Sequence, residues 1–444
     1  MPQSPPEFNK LLEELQQRHD FDLLETAFEP DLGPLVNCRY LHWDELRHLS
    51  PPDGLSLKRW WCALKFNRLR QLRAVPLQDV NGRPFQYLVA DPIPARLHEL
   101  DRGAGGFIEM PEQITNPDTK DRYYVGSLIE EAITSSQLEG AATTRKVAKE
   151  MIRAGRQPRD RSERMILNNF LTMKRMGDLK HQPLTAELVF QIHRQVTDGT
   201  LDDPSAAGRF RRDDEKIVVG DMYGEVYHEP PPASQLEERL AAMCEFANGA
   251  PAKSFIHPVI RSIILHFWLA YDHPFVDGNG RTARALFYWS MLHHNYWLCE
   301  YISISHIIRK APMRYQRAFL YTETDDNDLT YFILYHLEVL GRAVGELHAY
   351  IRRKTEQLRK MESELRGLVA LNHRQRALIS HALRHPNQLY SFESHRVSHN
   401  VVYETARRDL MDLAKRGLLV ATKSGKAWRF SPAADLEQKL VHIS

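Results

Sequence analysis

The sequence predicts a mainly α-helical protein with small β elements. From Tyr123 onwards, apolar residues recur every three to four positions in one segment after another, which is the spacing of amphipathic helices. One alternating segment, Lys216–Glu229, interrupts this pattern and indicates a β-hairpin. We therefore expect a helical core that carries an inserted hairpin, with a small mixed region before it and a separate module after it.

Charge and composition exclude several classes of protein. The 444 residues include 59 Lys and Arg, 57 Asp and Glu and 43% hydrophobic residues, and the formal net charge is +2. These values are close to the averages of globular domains. The chain is therefore not disordered throughout, not a collagen-like fibre and not a uniformly basic nucleic-acid binder. At roughly 100–200 residues per domain, the length predicts about two to four domains.

The cysteines and the N-terminus predict a reducing compartment. Cys38, Cys62, Cys244 and Cys299 lie far apart and lack CxxC spacing, which argues against a zinc site and a disulfide framework. The N-terminal residues are polar and lack the apolar core that signal peptides contain. The most apolar stretch, residues 255–271, contains His and Arg and predicts a buried helix rather than a membrane span. We expect a cytoplasmic protein without a membrane partner.

Residues 1–120 predict a mixed N-terminal region. Apolar residues have helical spacing over Leu57–Arg73, and Val75–Val89 alternates on both sides of Asn81-Gly82. An Asn-Gly pair between alternating segments is a strong hairpin signal. This region should therefore contain at least one helix and one β-hairpin.

Residues 121–350 predict the helical domain. Its hairpin, Lys216–Glu229, ends at three consecutive prolines, which cannot continue a central strand. The last predicted helix continues into a linker helix over residues 351–368. The helices are expected at residues 124–138, 164–176, 185–197, 233–247, 257–271, 282–294, 313–320 and 329–365.

Residues 369–444 predict a winged helix-turn-helix. A helix at 374–384, a short element at 390–394 and an amphipathic helix at 401–416 precede a basic hairpin around Lys423–Lys426. Helices followed by a two-stranded wing form the element order of that fold.

The charge of this C-terminal module makes DNA a candidate partner. Residues 373–444 contain 12 Lys and Arg but 6 Asp and Glu, which gives them a net charge of +6 and leaves −4 for the rest of the chain. Concentrated positive charge is typical of nucleic-acid binding. The alternative is a module that only docks on protein or dimerises, and Glu404, Asp409 and Asp412 dilute the charge of the second long helix. The candidate phosphate contacts are Arg396, Arg407, Arg408, Lys423 and Lys426.

The segment between the predicted helices 257–271 and 282–294 is the most informative part of the sequence. It consists of the residues HPFVDGNGRTAR, from His273 to Arg284. Gly278–Gly280 permits consecutive backbone N–H groups to point the same way at a helix N-terminus, which is an anion site. Arg281 lies three residues before Arg284, so the two share one helix face. Two guanidiniums beside such a site suit a di- or triphosphate.

Two further side chains of this segment suit phosphoryl chemistry. Asp277 offers hard oxygen ligands of the kind that bind a phosphate-bridging Mg²⁺. His273 is the group of the segment that titrates near neutrality, which makes it the candidate general base. A histidine, an Asn-Gly turn or two arginines are each common structural features, but their joint occurrence within twelve residues indicates an active site.

These residues resemble the signature of the Fic family, HxFx(D/E)GNGRxxR, at every fixed position. The likeness extends over residues 120–350 and, more loosely, over residues 40–120. It implies a Fic-type helical core in which the hairpin 216–229 is the flap that holds the target segment by main-chain pairing. It also implies transfer of AMP from ATP to a Ser, Thr or Tyr hydroxyl of an unidentified protein, with the chain itself among the candidates.

The resemblance assigns a role to each residue of the signature. His273 would deprotonate the target hydroxyl, and Asp277 would hold Mg²⁺ on the α and β phosphates. Arg284 would bind the γ-phosphate. The remaining phosphate contacts would come from Gly278, Asn279, Gly280 and Arg281.

A second segment, SSQLEG at residues 135–140, is similar to the inhibitory motif of the family, (S/T)xxxE(G/N). Ser135 and Glu139 are four residues apart and therefore share one helix face. Taken alone, the segment is an ordinary helix end at Gly140. With the family signature present, the likeness implies that Glu139 pairs with Arg284 and keeps basal activity low.

Two alternatives remain open at this point. The chain is a winged-helix DNA-binding regulator whose Fic core senses nucleotide, or a transferase that uses another nucleotide donor or acts like the Doc phosphotransferases. His273 favours an enzyme over a sensor, since a sensor needs no base. Gly280 favours nucleotidyl transfer, because Doc-type loops carry Lys there. The long helix 329–365 is a candidate interface for a homodimer.

Overall fold

The computed structural model divides into two compact units. The first contains Met1–Gly106 and Ser127–Val344, and the second contains Phe107–Gly126 and Gly345–Ser444. Residues of the N-terminal region and of the helical core thus lie in the same unit. The structure describes residues 1–17, 32–105, 117–220, 224–249, 255–367, 371–424 and 427–441.

The N-terminal region of the first unit consists of short helices and one hairpin. The hairpin is the one predicted: its strands pair antiparallel around Gly82, whose φ is 76°, a conformation that favours glycine. Buried charges join this region to the helical core, with Lys65 Nζ 2.5 Å from Asp325 Oδ1 and Arg68 donating to the Tyr331 hydroxyl at 2.9 Å. The elements are α1 (Phe8–Gln17), α2 (Trp43–Leu46), α3 (Leu57–Leu69), β1 (Arg73–Gln78), β2 (Pro84–Tyr87) and α4 (Ile93–Leu100).

The helical core follows, and it is mainly α-helical as predicted. Its elements are α5 (Pro117–Leu138), α6 (Arg145–Ala154), α7 (Arg161–Leu179), α8 (Ala186–Thr197), β3 (Val219–Gly220), β4 (Val226–His228), α9 (Leu236–Ala247), α10 (Pro258–Asp272), α11 (Asn279–His293), α12 (Ile304–Lys310), α13 (Pro312–Thr324) and α14 (Thr330–Gly367). The helices α6 and α12 had no counterpart in the sequence prediction.

Helices α10 and α11 form the centre of this core. They pack against each other, and nearly every residue of both is buried. A helix that is apolar on all faces needs such surroundings, which explains the run of hydrophobic residues in α10. None of the described helices combines the length and hydrophobicity that a bilayer crossing requires.

The inserted β-hairpin is confirmed. Strands β3 and β4 pair antiparallel between α8 and α9. They are only two and three residues long, and residues 221–223 between them lie outside the described residues.

The second unit ends in three helices, a two-stranded hairpin and one more helix. These are α15 (His373–Arg384), α16 (Phe392–His399), α17 (Tyr403–Lys415), β5 (Leu419–Ser424), β6 (Ala427–Pro432) and α18 (Leu436–Val441). Leu378, Leu410 and Phe430 belong to their common hydrophobic core. The element order is the predicted one, whereas α18 was not anticipated, and Lys426 in the hairpin turn lies outside the described residues.

Asp409 of α17 corrects one sequence expectation. Its side chain does not dilute the surface charge of that helix, because Asp409 is 2% exposed. It accepts hydrogen bonds from Arg374 at 2.7 Å and Asn372 at 2.8 Å, and His395 lies 3.3 Å away. Burial alone would raise the pKa of Asp409, but these partners outweigh burial and lower it. A buried carboxylate needs such compensation.

Candidate active site

The loop between α10 and α11 depends on two residues with left-handed backbone. His273 caps α10 with φ 44°, and Gly278 precedes α11 with φ 83°. A Cβ on Gly278 would lie 2.6 Å from the Cγ2 of Thr197, closer than two carbon atoms can approach. Glycine is therefore required there by its backbone angle and by the neighbouring helix α8.

His273 is a neutral imidazole with one nitrogen available. Its Nδ1 lies 3.2 Å from the carbonyl oxygen of Ala270. Since a carbonyl only accepts, Nδ1 must donate, which leaves the lone pair on Nε2. Burial lowers the pKa of His273 to about 4, and the nearby His228 and Arg211 act in the same direction. The imidazole is thus in its basic form at neutral pH.

Residues from outside the loop hold its backbone in place. Arg211 donates to the carbonyl of His273 at 2.8 Å, and its own backbone N–H donates to the carbonyl of Pro274 at 2.9 Å. His193 lies with Nε2 2.8 Å from the carbonyl of Asp277, while Gly208 N–H donates to its Nδ1 at 2.9 Å. Sequence reasoning gave neither side chain a role, because a buried side chain that contacts a distant loop carbonyl leaves no local pattern in the sequence.

Asn279 and Arg281 have structural partners inside the loop. Asn279 accepts from the backbone N–H of Phe275 at 3.0 Å and donates to its carbonyl at 2.7 Å. Arg281 is buried and donates to the carbonyl of Val196 at 3.1 Å. Its Nε is buried without a hydrogen-bond partner among the described residues, and an unpaired buried donor is costly. The side chain of Asn279 therefore shapes the loop, whereas Arg281 keeps a donor to offer.

Arg284 is held by helix α5. Its Nε donates to the Ser135 hydroxyl at 2.9 Å, and its Nη2 donates to the Ser135 carbonyl at 3.1 Å and to Glu139 Oε1 at 2.7 Å. The arginine side chain is 2% exposed and the glutamate side chain 27%. Burial acts to lower the pKa of Arg284, but the Glu139 carboxylate outweighs it and raises the pKa. Ser135, Glu139 and Arg284 are thus in direct contact.

Glu139 also lies against the start of α11. A Cβ placed on Gly280 would collide with Oε1 of Glu139. The carboxylate is therefore beside the N-terminus of this helix, where the backbone N–H groups favour a negative charge. The Glu139 side chain therefore occupies the position that suits an anionic ligand.

A cavity of about 400 Å³ opens at this point, and we call it the His273 cavity. That volume is within the usual range for small-molecule sites. Asp277, Gly278, Asn279, Arg281 and Ser135 are not among the described residues that line it. Its lining includes Glu139, Gly280, Arg284 and His273, the hairpin residues Tyr227 and His228, and Tyr315, Phe319 and Glu323 of α13.

His228 attaches the hairpin to the helical core. Its Nδ1 lies 2.7 Å from Glu323 Oε2 and its Nε2 lies 2.7 Å from the carbonyl of Tyr271. Both partners only accept, so both ring nitrogens must donate and the ring is an imidazolium. Burial would lower the pKa of His228, but Glu323 outweighs burial and raises it. The hairpin is thus anchored beside His273 by a charged pair.

Asp277 fits a magnesium ion only as a single carboxylate ligand. Its side chain is 39% exposed, with Arg281 Nη2 at 3.4 Å and Arg161 Nη2 at 3.5 Å. No group of three His, Cys, Asp or Glu residues in the described part of the chain suits a metal. One carboxylate with substrate phosphates and water is, however, a common Mg²⁺ arrangement.

Residues 183–291, which include the whole loop, match the Fic/DOC family. The chain contains a Fic domain. The relatives named "Protein adenylyltransferase Fic" include one from Nematostella vectensis, 34% identical over 107 residues, or 24% of this chain and 22% of the relative. One from Drosophila willistoni is 33% identical over 123 residues, or 27% of this chain and 22% of the relative. The chain thus matches about a fifth of the length of these relatives.

A solved structure extends the likeness in fold beyond the Fic domain. A Fic family protein from Desulfovibrio desulfuricans G20 has a TM-score of 0.53 and 20% sequence identity, and the match covers 78% of this chain and 98% of that chain. At this identity the likeness concerns the fold alone. It agrees with the mainly α-helical fold predicted from the sequence.

Proposed function

We propose that this chain transfers AMP from ATP to a hydroxyl group of a protein. One observation supports this most: neutral His273 lines the same cavity as the buried cation Arg284 and the helix N-terminus at Gly280. A base, a phosphate-binding cation and a helix N-terminus are the groups that such a transfer needs close together. The names of the relatives, protein adenylyltransferase Fic, support the same reaction.

In the proposed step the target hydroxyl oxygen attacks the α-phosphorus of ATP. The bond from that phosphorus to the oxygen bridging to the β-phosphate breaks, and pyrophosphate leaves. The hydroxyl proton passes to Nε2 of His273, whose Nδ1–H stays bonded to the Ala270 carbonyl. The resulting imidazolium releases the proton to solvent. The hairpin edge at β3 and β4 borders this cavity and is suited to hold the target segment by main-chain pairing.

The phosphates would be bound by the remaining loop residues. Gly280 would contribute its backbone N–H and Arg284 its guanidinium, both from the lining of the His273 cavity. Gly278 and Asn279 would add backbone N–H groups and Arg281 its unpaired Nε, and the Gly278 N–H must first release the Asp277 carboxylate to which it donates. Asp277 would hold Mg²⁺, which supplies charge neutralisation on the phosphates when it is bound. Such electrostatic stabilisation is the main requirement of phosphoryl-type transfer.

We further propose that Glu139 restrains this activity. Its carboxylate occupies Arg284 at 2.7 Å and borders the start of α11 at Gly280. A γ-phosphate that needs Arg284 must displace a charge-assisted hydrogen bond, which contributes about 1.5–3 kcal/mol. ATP that binds without this displacement would present its α-phosphate out of line with the target hydroxyl.

The test compares the wild-type chain with Glu139→Gly. Each is incubated with α-labelled ATP, GTP, CTP or UTP, or in parallel with γ-labelled ATP, and mass spectrometry then locates the modified residues. We expect AMP incorporation to rise roughly 10- to 100-fold in E139G, the equivalent of the hydrogen bond removed. Equal incorporation by the two proteins would contradict the restraint. Incorporation of γ-label instead of α-label would favour a phosphotransferase, and no incorporation from any donor would favour a nucleotide sensor.

For the C-terminal module we propose a winged helix-turn-helix that binds DNA. The inward position of Asp409 supports this, because it leaves Arg407 and Arg408 exposed on α17 with one carboxylate fewer beside them. Arg396 is also exposed, although it pairs with Glu393 at 2.6 Å. A fluorescent DNA titration of the full chain at several salt concentrations tests this, with R407A/R408A as the variant. Affinity without salt dependence, or unaffected by the variant, would favour a protein-docking module.

The cytoplasmic location and the homodimer also remain proposals. The four cysteines, which are all unbridged, support a reducing compartment. Sedimentation of the purified chain over a range of concentrations tests the dimer.

A further inference from the structure

A second cavity lies on the opposite face of α13 from the His273 cavity, and we call it the Arg317 cavity. Its volume is about 240 Å³. Arg314, Arg317, Ala318 and Tyr321 of α13 line it, and these positions recur at helical spacing. Tyr315, Phe319 and Glu323 of the same helix line the His273 cavity instead. The two cavities share no lining residue, so the second is not part of the proposed active site.

Positive charge is in excess in the Arg317 cavity. Four guanidiniums line it but only two carboxylates, Glu45 and Glu338. Glu338 is already matched, since it accepts from Arg314 at 3.0 and 2.8 Å and lies 2.6 Å from Arg342 outside the cavity. These arginines lower the pKa of Glu338. The guanidiniums are those of Arg39, Arg96, Arg314 and Arg317.

The remaining arginines keep donors to offer. Arg39 pairs with Glu45 at 3.3 Å, and both side chains are largely exposed, where such a pair contributes little. Arg96 donates to the carbonyl of Leu334 at 3.2 Å, and its charge helps to lower the pKa of Glu338, but Glu338 forms its hydrogen bonds with Arg314. Planar guanidiniums with free N–H groups match the oxygens of a phosphate group.

Tyrosine rings form the apolar part of the wall. Tyr40 and Tyr331 donate their hydroxyls to Asp328 at 2.5 Å and to Asp325 at 2.7 Å. Both acceptors are buried behind the cavity. These hydroxyls therefore already donate to the protein, and the rings contribute flat carbon surface to the cavity. Tyr321 and Tyr335 extend this surface. Aromatic walls beside arginines suit a ligand with an organic body and an anionic group.

We propose that the Arg317 cavity binds a small phosphate monoester. The excess of two positive charges matches a dianion, the guanidiniums match its phosphate oxygens, and the tyrosine rings match an attached organic group. The volume admits one small molecule and not a folded partner. This proposal goes beyond the adenylyl transfer proposed above and does not depend on it.

Cys38 provides a reporter for this site. It lines the cavity and is exposed, whereas Cys62, Cys244 and Cys299 are buried. Alkylation of the native chain by N-ethylmaleimide, a neutral reagent, should therefore modify Cys38 first. A ligand in the cavity would shield the thiol and slow this reaction.

The experiment measures the alkylation rate of the full chain by intact mass at pH 7.5. Phenyl phosphate and inorganic phosphate are the probes, with potassium chloride at equal ionic strength as the reference. We expect phenyl phosphate to slow alkylation saturably, by threefold or more, and inorganic phosphate to act only at higher concentration. An unchanged rate at every phenyl phosphate concentration, or a rate that follows ionic strength alone, would overturn the proposal.

Variants separate a specific site from general attraction. Arg96→Ala and Arg317→Ala should each raise the half-saturating phenyl phosphate concentration at least fivefold. Arg309→Ala, an exposed arginine on α12, is the matched control and should leave it unchanged. Phosphorus NMR line broadening of phenyl phosphate gives a second readout independent of Cys38. Equal protection in all three variants would show that the arginines of the cavity do not hold the ligand.

Discussion

Two arginine–carboxylate pairs in this chain have similar chemistry and different surroundings. Arg284 of α11 lies 2.7 Å from Glu139, the residue that follows α5, and Arg374 of α15 lies 2.7 Å from Asp409 of α17. In the first pair the carboxylate is 27% exposed and lines the His273 cavity. In the second pair the carboxylate is 2% exposed and lies inside the module.

The difference lies in what would replace the carboxylate. Beside Arg284 a cavity of about 400 Å³ admits an anionic substrate, so the pair competes with a ligand. Beside Arg374 the carboxylate is buried, and Asp409 has Asn372 and His395 as additional partners. Breaking the first pair should therefore increase activity, and breaking the second should decrease stability.

The gain expected in E139G must depend on His273. We expect the double variant E139G/H273A to lose 10²-fold or more of the incorporation rate of E139G, since a positioned general base contributes about 10²–10⁴-fold. Label transfer from α-labelled ATP measures this rate. His181→Ala, an exposed histidine near the Fic domain, should have no effect. Transfer that persists in E139G/H273A would remove His273 from the role of base.

Breaking the second pair should loosen the C-terminal module. In Asp409→Asn we expect the module to lose about 1.5–3 kcal/mol of stability, the range for hydrogen bonds to charged groups. Hydrogen exchange of peptides from residues 371–441 measures this loss without unfolding the rest of the chain. The control is Glu404→Gln on the same helix. Native Glu404 pairs with Arg407, and both side chains are exposed, so this substitution should change the stability of the module little. Equal protection from hydrogen exchange in D409N and in the wild type would contradict the structural role of Asp409.

The same pair predicts a dependence on pH. Because the folded pKa of Asp409 is lowered by its partners, its contribution is complete above the ordinary value of about 3.9 and disappears as the pH falls through the lower folded value. Protection of the module should therefore decrease below about pH 4. In D409N that decrease should be smaller, and an identical acid profile in both proteins would exclude Asp409 as its cause.

Sequence reasoning anticipated the elements whose signals are local. The GNG stretch, the arginines of α11 and the helix end at Glu139 lie in short continuous patterns, and the structure brings Glu139 and Arg284 together. Sequence reasoning did not anticipate the roles of Arg211 and His193 or the buried position of Asp409. Their roles arise from contacts with residues 62, 84 and 35 positions away, which depend on the packing of separate helices rather than on spacing.

A charge-neutral substitution separates the two effects of Glu139. Glu139→Gln keeps a side chain beside Gly280 and a hydrogen-bond acceptor for Arg284, but a neutral bond is about half as strong as a charged one. We expect its transfer rate to exceed that of the wild type by several-fold and to stay below that of E139G. The labelling assay with all three proteins measures this order. A rate equal to that of the wild type would assign the restraint to volume rather than to charge.

Arg161 tests a weaker contact of the same site. Its Nη2 lies 3.5 Å from Asp277 Oδ2, and both side chains are partly exposed. Such a pair contributes about 0–1 kcal/mol, so Arg161→Ala in the E139G background should lower the half-saturating Mg²⁺ concentration by up to about fivefold. Arg164→Ala, whose partner Asp198 lies 3.8 Å away, is the control. A higher Mg²⁺ requirement would show that Arg161 supports the site instead of competing for it.

The smallest effect concerns the pH profile of the opened site. With its pKa lowered to about 4, His273 stays in the basic form at pH 5, so the transfer rate of E139G should change less than about twofold between pH 7 and pH 5. A histidine with an ordinary pKa of about 6.5 would lose roughly 25-fold over this range. Removing Glu139 takes away a charge that raises the pKa of His273, so E139G and E139Q, which both lack this charge, should be less sensitive to acid than the wild type. Rates at saturating ATP and magnesium measure the profile. A midpoint near pH 6.5 would mean that opening the pair floods the cavity with water, because the burial that lowers the pKa would then be lost together with Glu139.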